Sequence, residues 1–184
     1  MLADAVRARG HEVVETREPG GTPLGESLRG LLLDGTVAEV SLAAEALLFA
    51  AARAELVRAV VRPALAAGRW VVSDRFLDSS LAYQGAARGL GIDAVTAINA
   101  PAVDGCLPDH TVVIDVPIAM AAERRCAAPD RIEAEGAGFQ GSVAAGYRLL
   151  ADRSPERIRL VAGDSDPDAV HSAVLAALRD AGAL

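Results

Sequence analysis

The chain has 184 residues, 52% of them hydrophobic, which fits one globular domain over 1–184 with a substantial core and requires no second domain. A formal net charge of -7 argues against a broad nucleic-acid surface, although a local arginine cluster in a cleft can still hold phosphates. All 18 basic residues are arginine, and lysine is absent.

Leu2, Ala5 and Val6 among alternating arginines predict a short amphipathic helix over 2–9 that stops at Gly10. Val13 and Val14 predict a strand within 11–16. A polar turn over 17–21 then leads to a helix with Leu24, Leu28, Leu31 and Leu32 on one face. The longest helical stretch is 41–67, with Ser41 as its N-cap and Pro63 bending or ending it. A strand over 69–74 precedes a helix from about Ser79, another helix near 93–100 and a strand over 111–116. A helix over 119–125, a break at 126–129 and a second helix over about 130–152 follow, then a strand over 157–162 and a closing amphipathic helix over 168–181. Strands alternating with helices imply an α/β class with a parallel sheet and helices on both faces. Apolar runs are short and no basic-then-apolar leader is visible, so neither membrane span nor secretory signal is expected and the cytoplasm is the default. Cys106 and Cys126 lack metal-site spacing and read as reduced and incidental, and the three scattered histidines make no metal site.

Function concentrates after the strand over 69–74. Asp74-Arg75-Phe76, then Ser79-Ser80, then Ala82-Tyr83-Gln84-Gly85, stand at the carboxyl end of a strand, where open parallel sheets place their ligands. These residues suit either an anion and ring-edge site or a solvated loop with Asp78 or Ser79 as helix cap. Arg75 is the first choice for gripping a phosphate, since a guanidinium pairs bidentately with its oxygens. The alternative is a surface ion pair with Asp74 or Asp78. Ser80 and Gln84 lie four apart and can hydrogen-bond the edge of a base.

The block from Asp74 to Gly85 resembles the signature of thymidylate kinases. Thr16-Arg17-Glu18-Pro19-Gly20-Gly21, Leu107-Pro108-Asp109-His110-Thr111 and Asp130-Arg131-Ile132-Glu133 resemble three further blocks of that family, in family order. The resemblance implies a nucleoside monophosphate kinase fold of the P-loop class, ATP-dependent phosphorylation of dTMP to dTDP, Mg²⁺, and a homodimer. It places Arg17 with Arg75 on the acceptor phosphate, and Phe49 and Arg53 on the pyrimidine, one by stacking and one by donating to a carbonyl edge. A core Phe beside a snorkelling Arg is the alternative for that pair. It also places Tyr83 against the sugar C2 position and Asp74 near Mg²⁺ through water. A lid over about 119–135 would bring Arg124, Arg125 or Arg131 to the ATP phosphates, because 126–129 carries no basic residue.

A kinase of this kind is expected to carry strand, G-x-x-x-x-G-K-[ST], helix, since backbone N–H groups and a lysine cradle the phosphates. No such motif is present. Gly20 to Ser27 has the glycine spacing, but Glu26 stands at the lysine position and would repel a triphosphate, while Pro19 and Pro23 remove N–H donors. The expectation is therefore that a first, central strand and its phosphate loop are missing, that Met1 is an internal methionine, and that two neighbouring strands keep unpaired edges. The rival readings are a non-catalytic nucleotide-binding remnant and a kinase for another nucleoside monophosphate.

Overall fold

The computed structural model describes residues 1–34, 39–124 and 128–184. Four strands, β1 (Val13–Arg17), β2 (Trp70–Asp74), β3 (Thr111–Asp115) and β4 (Ile158–Ala162), alternate with helices as the sequence predicts. β1 pairs with β2 in parallel, Val13 opposite Trp70 and Arg17 opposite Asp74, and β3 pairs with β4 in parallel, Thr111 opposite Ile158. Among the described residues the parallel strands form two two-stranded sheets, so each strand has a partner on one edge only, in keeping with the expected unpaired strand edges. β1 and β2 run in register, which brings Arg17 and Asp74 to the same carboxyl end.

Nine helices flank the strands among the described residues: α1 (Leu2–Arg7), α2 (Pro23–Leu33), α3 (Leu42–Leu56), α4 (Arg62–Ala66), α5 (Leu77–Ser80), α6 (Ile92–Val103), α7 (Ile118–Glu123), α8 (Ala137–Arg153) and α9 (Pro167–Asp180). Ser41 caps α3 by accepting from Ala44 N at 3.2 Å, as the sequence predicts. Pro63 does not end the stretch: residues Val57–Val61 form a π-helical turn that runs on into α4, with Pro63 as the second residue of α4. A second π-helical turn, Leu81–Ala87, continues α5 and carries Tyr83 and Gln84.

The four leucines of α2 lie on one side of the helix as expected, but burial divides them, with Leu28 and Leu32 buried and Leu24 and Leu31 exposed at its margin. The buried set is Gly25, Leu28 and Leu32, a stripe of three- and four-residue steps. One expectation further along the chain needs correction. The helix over 130–152 begins only at Ala137, because Gly136 at φ +87° breaks it after a short turn over Glu133–Glu135.

The larger core packs α5, the second π-helical turn, α6 and α8 through Leu77, Leu81, Val95, Val143 and Leu150, with Ile158 from β4. A smaller cluster of Val161, Val174 and Leu178 seats α9 on β4. Gly146 of α8 lets the helix approach the π-helical turn, since a Cβ there would stand 2.9 Å from Ala86 Cβ. Gly21, at φ +76°, closes the loop after β1 where a Cβ would meet Thr16 Oγ1 at 2.5 Å and Leu56 Cδ1 at 2.7 Å. Gly21→Ala is expected to lower stability by about 2 kcal/mol or more, from left-handed backbone strain plus overpacking, read as a lower urea midpoint with unchanged slope.

Candidate active site

The loop after β1, helix α3 and the loop after β2 converge through one buried guanidinium. Arg53 of α3 is 1% exposed and donates from Nε at 3.0 Å and from Nη2 at 2.5 Å to Glu18 Oε2, and from Nη1 to Asn99 Oδ1 of α6. Its guanidinium lies 5.4 Å over the Phe76 ring. Phe49, the expected stacking partner of the same base, is half-buried one turn earlier on α3. The structure thus sets Arg53 in an ion pair that orders the Arg17 to Gly21 loop, a partnership that sequence spacing did not suggest. Burial pushes the Glu18 carboxyl above its ordinary value, and the neighbouring Arg53 charge only partly offsets that.

Arg17 points into the same loop and donates to both Glu26 carboxylate oxygens at 3.2 Å. Glu26 also accepts from Gly21 N at 2.9 Å, and this N–H together with Arg17 holds its carboxyl below the ordinary range. The Glu26 carboxylate therefore sits on the Gly21 amide and on Arg17, two donors suited to an anion.

At the end of β2, Arg75 adopts φ +69°, a left-handed conformation uncommon for a side chain of this size. Ser73 Oγ donates to Arg75 O at 2.7 Å and Glu18 N donates to Asp74 O at 2.9 Å, so both neighbours of the turn are tied. Arg75 Nη1 donates to Tyr83 Oη at 3.2 Å, with the guanidinium 5.2 Å from that ring. No ion pair joins Arg75 to Asp74 or Asp78 among the described residues. Asp78 is taken by Arg157, through bonds of 2.7 Å to each oxygen, and by the Thr111 hydroxyl at 2.8 Å.

Tyr83 is packed edge-on by Phe139 and Tyr147 of α8, and Tyr147 Oη hydrogen-bonds Ser79 Oγ at 2.7 Å. Tyr147 was not expected at the site; it lies 64 residues from Tyr83 in a helix with no motif to mark it. Ser80 and Gln84 are each 2% exposed, and Ser80 Oγ is buried without a hydrogen-bond partner.

The three lid candidates separate. Arg131 donates from Nε to Leu32 O at 2.7 Å and from Nη2 to Glu45 Oε2 at 2.6 Å, so it fastens its own segment to α2 and α3. Arg124, just past α7, donates to Gly163 O at 2.7 Å and Ser165 O at 3.0 Å in the β4–α9 loop. It borders a cavity of about 440 Å³ lined by Leu2, Val112, Ile114, Pro167 and Val174. Arg125 lies outside the described residues. Among the described residues no group of three His, Cys, Asp or Glu side chains converges as a metal cage. A single exposed Asp74 fits Mg²⁺, which keeps several waters and takes its other ligands from phosphates.

Arginine forks at the carboxyl ends of parallel strands suit a phosphorylated ligand. The model of the thymidylate kinase family matches residues 1–174. The thymidylate kinase of Rhizorhabdus wittichii is 48% identical over 183 residues, 97% of this chain and 88% of that protein. That of Gloeobacter violaceus is 50% identical over 165 residues, covering 88% of this chain and 77% of its own length. The crystal structure of the Ehrlichia chaffeensis thymidylate kinase superposes with a TM-score of 0.75 at 30% identity, over 96% of this chain and 86% of that one. The chain belongs to the thymidylate kinase family. The expected absence of a first strand and phosphate loop finds no support in these alignments. No helix among the described residues is long and apolar enough to cross a membrane.

Removing Arg53 would leave Glu18 buried and unpaired, so Arg53→Met is expected to cost about 3–5 kcal/mol at neutral pH. Glu18 already titrates above its ordinary value of 4.5 in the folded chain, and without Arg53 it rises further. The folded variant then holds a proton that the unfolded chain releases, so stability falls as pH rises through the folded value. Urea unfolding should show a smaller loss at pH 5 than at pH 8, and an equal loss at both would contradict the assignment.

Proposed function

We propose that this chain transfers the γ-phosphoryl group of ATP to dTMP, giving dTDP and ADP, within a single domain over 1–184 whose lid spans about 119–135. The observation that carries the acceptor side is Arg75, held in a left-handed turn between Asp74 and Tyr83 at the end of β2. On this reading the Arg75 fork binds the acceptor phosphate and aligns its oxygen for attack, with Arg17 beside it once Glu26 yields to the substrate. Ser80 and Gln84 meet the base edge, Phe49 stacks on the ring, and Arg53 holds the surrounding loop through Glu18. Tyr83, packed by Phe139 and Tyr147, stands against the sugar C2 position and disfavours a ribose hydroxyl.

Within these 184 residues the basic side chains that can offset the phosphates are arginines. Mg²⁺, when bound near Asp74, contributes charge neutralisation between the two sets of phosphates. The cavity bordered by Arg124 has the apolar walls and cationic rim that suit the base of the donor nucleotide. Arg131 contributes by fixing the base of the lid to α2 and α3. No covalent intermediate is needed, since phosphoryl transfer rests on positioning and charge. We also read the exposed Leu24 and Leu31 of α2 and Leu42 and Leu47 of α3 as the face of a homodimer. A cytoplasmic location is the reading consistent with nucleotide substrates.

ATP- and Mg²⁺-dependent phosphorylation of dTMP, compared with UMP and dGMP as acceptors, tests the reading. dTMP should be the preferred acceptor, and Arg75→Ala should lower kcat/KM by about 100-fold through the lost bidentate contact. Equal use of UMP or dGMP would overturn the acceptor assignment, and an Arg75→Ala variant as active as the parent chain would overturn the role of Arg75.

A further inference from the structure

Glu45 of α3 is 1% exposed, and its carboxylate gathers donors from segments far away in the chain. Oε1 accepts from Gln84 Nε2 at 3.1 Å and Arg88 Nε at 3.2 Å. Oε2 accepts from Arg88 Nη2 at 3.3 Å and Arg131 Nη2 at 2.6 Å. Burial works to raise this carboxyl, but the Arg131 and Gln84 hydrogen bonds and the Arg88 charge outweigh it and hold the group below its ordinary value. Glu45 is therefore an ionised carboxylate at neutral pH, and an ionised carboxylate only accepts.

That fact decides how the Gln84 amide is turned. Its NH2 must face Glu45, because the flipped amide would set its oxygen against a carboxylate oxygen in a buried site. The Gln84 carbonyl oxygen is thereby directed away from Glu45, and no donor meets it among the described residues. Four positions earlier, Ser80 Oγ is also buried and without a partner. Unpartnered polar atoms of two nearly fully buried side chains on one helical stretch point to a ligand that supplies the missing bonds.

We propose that Glu45 is a positioning residue for base selection, fixing the Gln84 amide so that its carbonyl oxygen accepts the ring N–H of an imide-edged pyrimidine. A pyrimidine whose corresponding ring nitrogen is unprotonated meets that oxygen acceptor to acceptor and is rejected. Thymine and uracil have the first edge and cytosine the second. The inference rests on the reading of Gln84 as a base contact.

Equilibrium binding of dTMP and dCMP to the full chain tests it. The parent chain should prefer dTMP, and Glu45→Gln should reduce the dTMP to dCMP affinity ratio about tenfold, because an amide at position 45 lets the Gln84 amide turn either way. A purely structural role would weaken both nucleotides alike, so an unchanged ratio in a folded variant overturns the proposal. Gln84→Ala separates the two layers. Undiminished dTMP binding by that variant would sink the base contact and the positioning role together, whereas lost dTMP binding beside an unchanged Glu45→Gln ratio would sink the positioning role alone. If circular dichroism shows that Glu45→Gln does not fold, side-chain NMR of the parent chain decides. On adding dTMP the Gln84 Cδ resonance should move while its Nε2 protons, held by Glu45, stay in place, and the opposite pattern overturns the proposal.

Discussion

The buried pair of Arg53 and Glu18 is the interaction on which the loop after β1 and the turn after β2 depend for their arrangement. One guanidinium joins three parts of the chain that have no sequence proximity: the loop after β1 through Glu18, α6 through Asn99 and the turn after β2 through the face of Phe76. Such a pair is costly to desolvate, and it repays that cost only when the geometry is good and the remaining donors are satisfied. Here the fork of Arg53 has donors at three nitrogens and acceptors for each. The loop that carries Arg17 and the turn that carries Arg75 are thereby held at a fixed separation, which is what a phosphate site between them requires.

The same device recurs. Three carboxylates in the core, Glu18, Glu45 and Asp78, are each met by arginine, from Arg53, from Arg88 with Arg131, and from Arg157. A chain with no lysine has only the planar fork to use, and the fork suits these sites because it can serve two acceptors at once while stacking on rings. Arg88 shows this economy, bonded to Glu45 and Glu135 with its guanidinium 4.7 Å over Phe139. Each pair bridges elements distant in sequence. Together they behave as cross-links between the helical stretch that carries Gln84 and Arg88, the segment that carries Arg131 and Glu135, and the strands.

Much of this was legible in the sequence. The four strands follow from short β-branched runs, Ser41 announces α3 by its side-chain oxygen, and the residues from Asp74 to Gln84 advertise a site because they follow a strand. What could not be read was partnership. Arg53 carries no local sign of its ion pair because its partners, Glu18 and Asn99, lie 35 and 46 residues away. Tyr147 and Glu45 carry no local signal for the same reason. The spacing over 130–152 gives no warning that Gly136 takes a positive φ, a tertiary choice rather than a helical one, and the pattern of α2 does not say which of its leucines on one side meet the core.

The Arg75 turn shows how these constraints meet at the site. A left-handed backbone at a long side chain costs on the order of 1–2 kcal/mol and persists only where the surroundings over-determine it. The surroundings do so: Ser73 holds the Arg75 carbonyl, Glu18 N holds the Asp74 carbonyl, and Glu18 is itself anchored by Arg53. Relaxing Arg75 to an ordinary conformation would turn its side chain away from Tyr83 and away from the end of β2. The buried ion pair thus does more than stabilise a loop, because through Glu18 it helps keep Arg75 in the left-handed backbone state that faces Tyr83 at the end of β2.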